Sequence, residues 1–376
     1  MKNTKFIKGA EPFFGKYKKN ILNDINFCLK TGNLSNGRFV NKFEKDLKKL
    51  FKSKYALSIN SGGTALELAI LSMGFKNKEI IVPSQTFIAS PNSILRAGLK
   101  PVYCDIKYNT GCLDPQEVIK KINKKTCAIM YVHMFGIMTD DIFKIRSICK
   151  KKNLLLIEDA SHAHGAKLKG VYAGNIGDIG CFSLYATKIM TTGEGGFILT
   201  KRKKIFERIK SLRNYGKDEK SQKFVHLSNN FRLSEISSIL GIYQLKLLNS
   251  FIKHRTKIAK IYIKRLKNNQ YLNFFNINLK NQNSFWRFPL YLSAKIIRSK
   301  FQKKMNKLGV RITWMYDPLC HLQPLYKQKK KFKLKTSEEH IKYLINLPTH
   351  INVNEKMAGK ICDKVTIATD QLIKKK

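Results

Sequence analysis

The chain has 376 residues, 43% of them hydrophobic, which is enough for a buried core in one large domain or two and excludes an intrinsically disordered protein. Lys and Arg number 72 against 25 Asp and Glu, and the net charge of +47 points at face value to nucleic acid or an anionic membrane surface. The lysines run from end to end, however, with no basic groove interleaved with aromatics, so the expectation is a solvated basic surface, no specific nucleic-acid partner, and a charge that also suits an anionic substrate.

The eight cysteines are scattered without a CxxC pair or zinc spacing, so they read as reduced and mostly buried, and no metal centre is expected. Residues 1–29 lack the continuous apolar stretch of a signal peptide, and no apolar run is long enough to span a bilayer; the expected location is the cytoplasm, without membrane insertion. In chain order, residues 31–51 give a turn and then helical spacing in FVNKFEKDLKKLF. A strand over 55–59 is followed by Asn60-Ser61-Gly62-Gly63-Thr64, a tight loop opening a helix over 65–73. Helix amino termini gather unpaired N–H groups and the positive end of the helix dipole, so Ser61, Gly63 and Thr64 either bind a phosphate or cap an ordinary helix.

A strand over 79–82 leads to a helix expected to begin at Pro83 and to continue to Ala97, with Pro91 inside it. Strands at 101–105, 127–133 and 154–157 alternate with helices at 114–122 and 140–150, which implies a largely parallel sheet. Glu158 and Asp159 close the strand at 154–157, at the end where such sheets form their crevice. Residues 181–185 read as a further strand, and Lys188 follows it just before the turn Thr191-Thr192-Gly193-Glu194-Gly195-Gly196. An isolated lysine is ordinarily solvated, but Lys188 and Asp159 leave neighbouring strands toward one crevice. An amine there can condense with an aldehyde, and a carboxylate can keep a pyridinium nitrogen protonated; pyridoxal 5'-phosphate needs both. Further on come a helix at 204–212, a polar loop to Ser228, and a long helix capped by Ser234 and reaching toward Leu266. An Asn-rich interval at 268–283 divides the expected large domain, 1–267, from a small carboxyl-terminal domain, 268–376, with a strand at 285–292, a helix at 294–308, a strand-like 310–313 and a final helix at 354–367.

The stretches EDASHAHGA, GDIGCFSLYATK and TTGEGGFILT resemble the DegT/DnrJ/EryC1/StrS family of pyridoxal-phosphate (PLP)-dependent aminotransferases acting on nucleotide-linked keto sugars, and the resemblance extends from about Pro12 to Val365. It implies an α/β fold, the aspartate-aminotransferase-like type I fold of PLP-dependent transferases, with a mostly parallel central sheet and a smaller carboxyl-terminal α/β domain. By this resemblance Lys188 carries the cofactor and then acts as the base, while Asp159 partners the ring nitrogen. Gly63 and Thr64 go to the cofactor phosphate, although the family's usual Ser-Gly-Thr is displaced here by one residue. Phe87 stacks on the ring, His162 lies beside it, Ser183 donates to the phosphate, and Asn230 reaches the phosphate of a partner subunit, which implies a homodimer with active sites at the interface. His321, in a segment with Tyr316 and Pro318, is the implied substrate contact. The implied reaction moves an amino group from glutamate to a keto group of a nucleotide-linked deoxysugar, in surface-polysaccharide or glycoconjugate biosynthesis. Two alternatives remain at this point: a PLP-dependent sugar dehydratase, in which histidine is associated with the lysine position, and a regulatory or nucleic-acid-binding protein of the same fold.

Overall fold

The computed structural model of the chain describes residues 6–326 and 333–374. Its centre is a seven-stranded sheet built from β1 (Tyr55–Ile59), β2 (Glu79–Pro83), β3 (Lys100–Cys104), β4 (Thr126–Val132), β5 (Leu155–Asp159), β8 (Ile179–Ser183) and β9 (Gly196–Thr200); β6 (Lys167–Leu168) and β7 (Val171–Tyr172) form a short separate hairpin. The order is β1-β9-β8-β5-β4-β2-β3. The run from β8 through β5, β4 and β2 to β3 is parallel, and only β9 opposes its two neighbours.

Every residue of β4 is buried, as an almost continuous apolar run requires when both faces of a parallel sheet are covered. The two faces follow the side-chain period of two. Ile81, Ile129, Tyr131 and Leu156 join one hydrophobic cluster, whereas Ile80, Val82, Ala128, Met130 and Ile157 join the other. Against the first face lie α1 (Lys18–Thr31), α2 (Arg38–Phe51), α6 (Asp141–Lys151) and the 32-residue α8 (Glu235–Leu266), represented by Cys28, Phe43, Leu47, Ile145 and Leu248. Against the second lie α3 (Gly62–Leu71), α4 (Ala89–Arg96) and α7 (Lys203–Arg213), through Leu66, Ile94 and Ile209; α5 (Pro115–Lys121) adds Val118 to the first cluster.

After α8 the chain forms an antiparallel three-stranded sheet, β10 (Leu272–Phe274), β11 (Phe288–Leu292) and β12 (Leu344–Leu347), with α9 (Arg298–Lys307), α10 (Lys335–Tyr343) and α11 (Glu355–Ile373). Its core residues Phe288, Leu290, Phe301 and Ile361 belong to the same cluster as the first face of the large sheet. The segment ahead of β11 is tied to the loop after β4: Ser284 N–H donates to Gly136 O (2.9 Å) and Trp286 N–H to Phe135 O (2.9 Å). Gly136 has φ +75°, and a Cβ there would come within 2.3 Å of His162 O, so only glycine lets these three segments converge.

Several boundaries differ from the sequence reading. Pro83 ends β2 rather than opening a helix, and α4 begins only at Ala89, which leaves residues 84–88 as a loop; Pro91 falls in the first helical turn, where a missing N–H costs nothing. The Asn-rich interval contains β10, the stretch 310–313 forms only isolated bridges from Val310 to Ile7 and from Thr313 to Asn346, and α1, α10 and β12 were not anticipated. Polar, lysine-rich sequence hid α1, which buries only Ile21 and Cys28.

One buried carboxylate couples distant parts of the first face. Glu235, 1% exposed at the start of α8, accepts N–H bonds from Gly37 (3.0 Å), Phe39 (2.9 Å) and Val40 (2.9 Å), satisfying the orphan donors of the α2 amino terminus. Glu235→Ala removes all three acceptors at once, and urea denaturation is expected to show a loss of about 3 kcal/mol in unfolding free energy. A loss below about 1 kcal/mol would mean that water reaches those amides.

Candidate active site

At the carboxyl ends of the parallel strands, where α/β sheets form their crevice, lies a cavity of about 480 Å³. Lys188 and Asp159 both line it, as do Gly63, Phe87, His162 and Ser183. Asp159 is the last residue of β5, in register with Cys181 on β8, and its carboxylate is fixed by two donors: Ser90 Oγ (2.8 Å) on one oxygen and Ser161 N–H (3.1 Å) on the other. Ser90 is in turn bonded to Thr86 Oγ1 at 2.9 Å, so the 84–88 loop that the sequence reading took for helix orients the carboxylate.

Lys188 sits in the turn after β8, its backbone N–H bonded to Tyr185 O. Its ammonium lies 4.5 Å from the centroid of the Trp286 ring, and Trp286 donates its indole N–H to Thr187 O at 2.7 Å, which pins the residue next to the lysine. Burial pushes the Lys188 pKa down to about 8; Asp159 pulls it up and Arg287 pushes it further down. His162 stacks on the same indole: its ring centroid is 3.8 Å from that of Trp286 with 15° between planes, and its Nε2 is 3.2 Å from Tyr316 Oη. Burial, then Lys188 and Arg287, holds the His162 pKa well below the usual imidazole range, so the ring is neutral at neutral pH.

The amino terminus of α3 also lines the cavity. Ser61 Oγ accepts the Thr64 N–H (3.1 Å) and lies 2.8 Å from Thr64 Oγ1. A Cβ on Gly62 would stand 2.5 Å from Ser183 Cβ, so glycine there is what lets the end of β8 approach the helix terminus and brings Ser183 into the cavity.

Two expected residues lie elsewhere, and Asn230, whose expected contact is in a partner subunit, lies outside this cavity. Thr64 does not line the cavity; its hydroxyl is engaged with Ser61, and Ser61, Gly62 and Gly63 are the lining residues of that loop. Asn230 is exposed in the loop before α8, accepts Arg232 N–H at 3.2 Å, and is connected to the phosphate-type loop only through its carbonyl, 3.5 Å from Asn60 Nδ2. His321, expected on the substrate side, is buried away from the cavity: Nδ1 is 2.5 Å from Ser84 Oγ, Nε2 is 3.3 Å from Glu338 Oε1, and the neighbouring Cys320 N–H bonds Ser84 O at 3.1 Å. It fastens the segment that follows Tyr316 to the loop after β2. Conversely, Trp286 and Arg287 line the cavity and were missed, although Trp286 is one of only two tryptophans in the chain and that rarity was a usable signal.

The residues present fit pyridoxal phosphate. An anion site at a helix amino terminus, a fixed carboxylate and a buried amine open onto one cavity, and the fully buried His162 Nδ1 has no partner of its own. Among the described residues no group of three His, Cys, Asp or Glu side chains is arranged to hold a metal, and no helix is long and apolar enough to cross a membrane.

The model of the DegT/DnrJ/EryC1/StrS aminotransferase family matches residues 16–366. The chain is 32% identical over 352 residues to GDP-perosamine synthase of Caulobacter vibrioides, covering 92% of this chain and 93% of that one. Among solved structures it superposes on Helicobacter pylori PseC, an aminotransferase involved in the biosynthesis of pseudoaminic acid, with TM-score 0.91 and 29% identity over 98% of this chain and 100% of that chain. It also superposes on NtdA of Bacillus subtilis with bound cofactor PMP, with TM-score 0.86 and 25% identity over 100% and 87% of the respective chains. The fold is that of the PLP-dependent aminotransferases, and the chain belongs to the DegT/DnrJ/EryC1/StrS aminotransferase family.

Proposed function

We propose that this enzyme moves an amino group from glutamate to the keto group of a nucleotide-linked deoxysugar destined for surface polysaccharide or glycoconjugate, acting as a homodimer in the cytoplasm. The observation that carries the reading is a buried lysine amine, with its pKa near 8, sharing one cavity with a fixed carboxylate. The relatives' names, GDP-perosamine synthase and an aminotransferase of pseudoaminic acid biosynthesis, support a nucleotide-sugar substrate. Lysine rather than histidine at position 188 favours amino transfer over dehydration. Exposed apolar side chains in the loop ending at Asn230, with Phe224 70% and Leu227 101% exposed, favour a second copy covering that loop. Eight free, buried cysteines suit a reducing compartment.

Lys188 would hold the cofactor through its amine, Asp159 through the ring nitrogen, Ser61, Gly63 and Ser183 through the phosphate, and Phe87 and His162 at the ring. Bound there, pyridoxal phosphate supplies an aldehyde that exchanges amines and a ring that takes up the electron pair left when a carbon loses its proton. The protein does the rest. Lys188, once free, would take the proton from the donor's α carbon as a neutral amine and deliver it to the cofactor's exocyclic carbon, two bonds away. Asp159, held by Ser90 and Ser161, keeps its charge in one place during that transfer, and a neutral His162 adds no competing positive charge. Phe87 and Tyr316, with ring centroids 5.4 Å apart, stand together at the cavity.

The test is the visible absorbance of the purified protein given pyridoxal phosphate and then excess glutamate. A cofactor band that glutamate bleaches, and that a keto acid restores, is the expected result; no cofactor band at all would overturn the reading. The rate of cofactor uptake by the cofactor-free protein carries a second prediction. Only the neutral amine attacks an aldehyde, so the rate is expected to rise about tenfold per pH unit below pH 8 and to level off above it, as a lysine depressed to about 8 dictates. A rate still climbing tenfold per unit at pH 9.5 would mean that Lys188 keeps an ordinary lysine pKa.

A further inference from the structure

Two buried arginines beside the cavity have no acid to meet. Arg255 and Arg287 are 5% and 4% exposed, and among the described residues no carboxylate influences either one; burial pushes them down, to about 9 and about 10, Arg287 pushes Arg255 further, and Tyr316 pulls Arg287 up. Leaving a charge buried without a counter-ion is costly, so each needs an explanation.

Arg255 has a structural one. From α8 it donates to Phe285 O (3.2 Å), Trp286 O (3.2 Å) and Thr349 Oγ1 (2.9 Å), and so it holds the backbone that presents Trp286 and Arg287. Arg287 has none comparable. Among the described residues its side chain makes one hydrogen bond, a long one, 3.3 Å to the carbonyl of the preceding residue, and its buried Nε has no partner. It lines the cavity, and its guanidinium lies 4.8 Å from the centroid of the same indole that carries the Lys188 amine at 4.5 Å. A second positive charge therefore stands beside the reacting lysine, in the cavity that the α3 amino terminus also lines.

The chemistry of the two substrates decides which of them needs that charge. A keto sugar is uncharged at its reacting carbon, and its diphosphate lies across the sugar ring. An amino acid carries a carboxylate on the very carbon whose amine reacts, so its anion must sit beside Lys188. We infer that Arg287 binds a carboxylate of the amino donor through the part of its guanidinium that lines the cavity, and thereby selects amino acids over plain amines. The inference deepens the aminotransferase reading and rests on it. It also accounts for the unpaired charge: the arginine waits for an anion that is present only in the donor half of the cycle.

Glutarate, which carries the carboxylates of glutamate but has no amine to react, is the probe. Its affinity for the cofactor-loaded protein, measured by calorimetry, is expected to fall at least about tenfold in Arg287→Leu. Arg287→Gln, neutral and shorter but still a hydrogen-bond donor, should lose as much. UDP and GDP should bind both variants as they bind the wild type, and the ligand-free Arg287→Leu protein should melt no lower than wild type, because it has lost an uncompensated buried charge. Unchanged glutarate affinity in both variants would overturn the inference, as would loss of UDP or GDP binding in place of glutarate. A wild type whose cofactor glutamate fails to convert would overturn the aminotransferase reading and this inference together. Normal conversion by glutamate with no effect of either substitution would overturn this inference alone.

Discussion

Lys188→Ala is expected to retain pyridoxal phosphate only by non-covalent contacts and to lower the rate of amino transfer by about 10⁴-fold, the upper end of what one positioned acid–base group contributes. The size follows from the absence of a substitute among the residues lining the cavity. Arg287 stays protonated with its pKa near 10, and His162 has Nε2 engaged by Tyr316 Oη and is stacked flat on Trp286. Tyr316 is pushed upward by burial and by Asp159, so its phenol is no base at neutral pH. Only the Lys188 amine combines a pKa near 8 with a place beside the reacting centre. Lys188→Arg is expected to fail equally, since it restores the charge without a nucleophilic amine. Single-turnover absorbance after mixing with glutamate measures the loss, and partial rescue by added methylamine would separate a missing base from a damaged pocket. A fall of less than tenfold in Lys188→Ala would remove the lysine from the mechanism.

Much of this site was legible because it hangs on the ends of buried parallel strands. The run Leu154 to Ile157 ended by carboxylates, and a lysine just past the next strand, sufficed to bring Asp159 and Lys188 into one crevice, since β5 and β8 pair directly. What the sequence concealed depends on contacts between distant segments. Trp286 reaches Lys188 because Ser284 and Trp286 hydrogen-bond the loop after β4 and Arg255 clamps the Phe285 and Trp286 carbonyls from α8, and no local periodicity carries that information. His321 erred in the other direction. A histidine near aromatic residues invites a substrate role, yet its imidazole is consumed by Ser84 and Glu338, and what it holds in place is the chain that carries Tyr316. The helix misplaced at Pro83 cost less: Phe87 is expected at the ring either way, and what the 84–88 loop adds is Thr86.

Asp159→Asn separates charge from shape at the other pole of the site. The amide keeps an oxygen for the Ser161 N–H, and its NH₂ can meet Ser90 Oγ once that hydroxyl turns to accept, so the fold is expected to hold and the melting temperature to stay within a few degrees. The lost charge acts twice, with opposite signs. Turnover should drop by about 10³-fold, because a fixed charge that stabilises the reacting system is gone. Lys188, by contrast, loses the carboxylate that raised its pKa, so that pKa falls further below about 8. The neutral amine then persists to lower pH, and cofactor uptake by the cofactor-free variant should level off at a lower pH than in the wild type while turnover is crippled. An Asp159 that only braced the loop through Ser90 and Ser161 would leave the pH profile of uptake where it was. Parallel pH titrations of cofactor uptake and of glutamate-driven bleaching, wild type beside Asp159→Asn, therefore distinguish an electrostatic partner of the cofactor ring from a structural carboxylate, and an unmoved uptake profile would assign Asp159 to the second role.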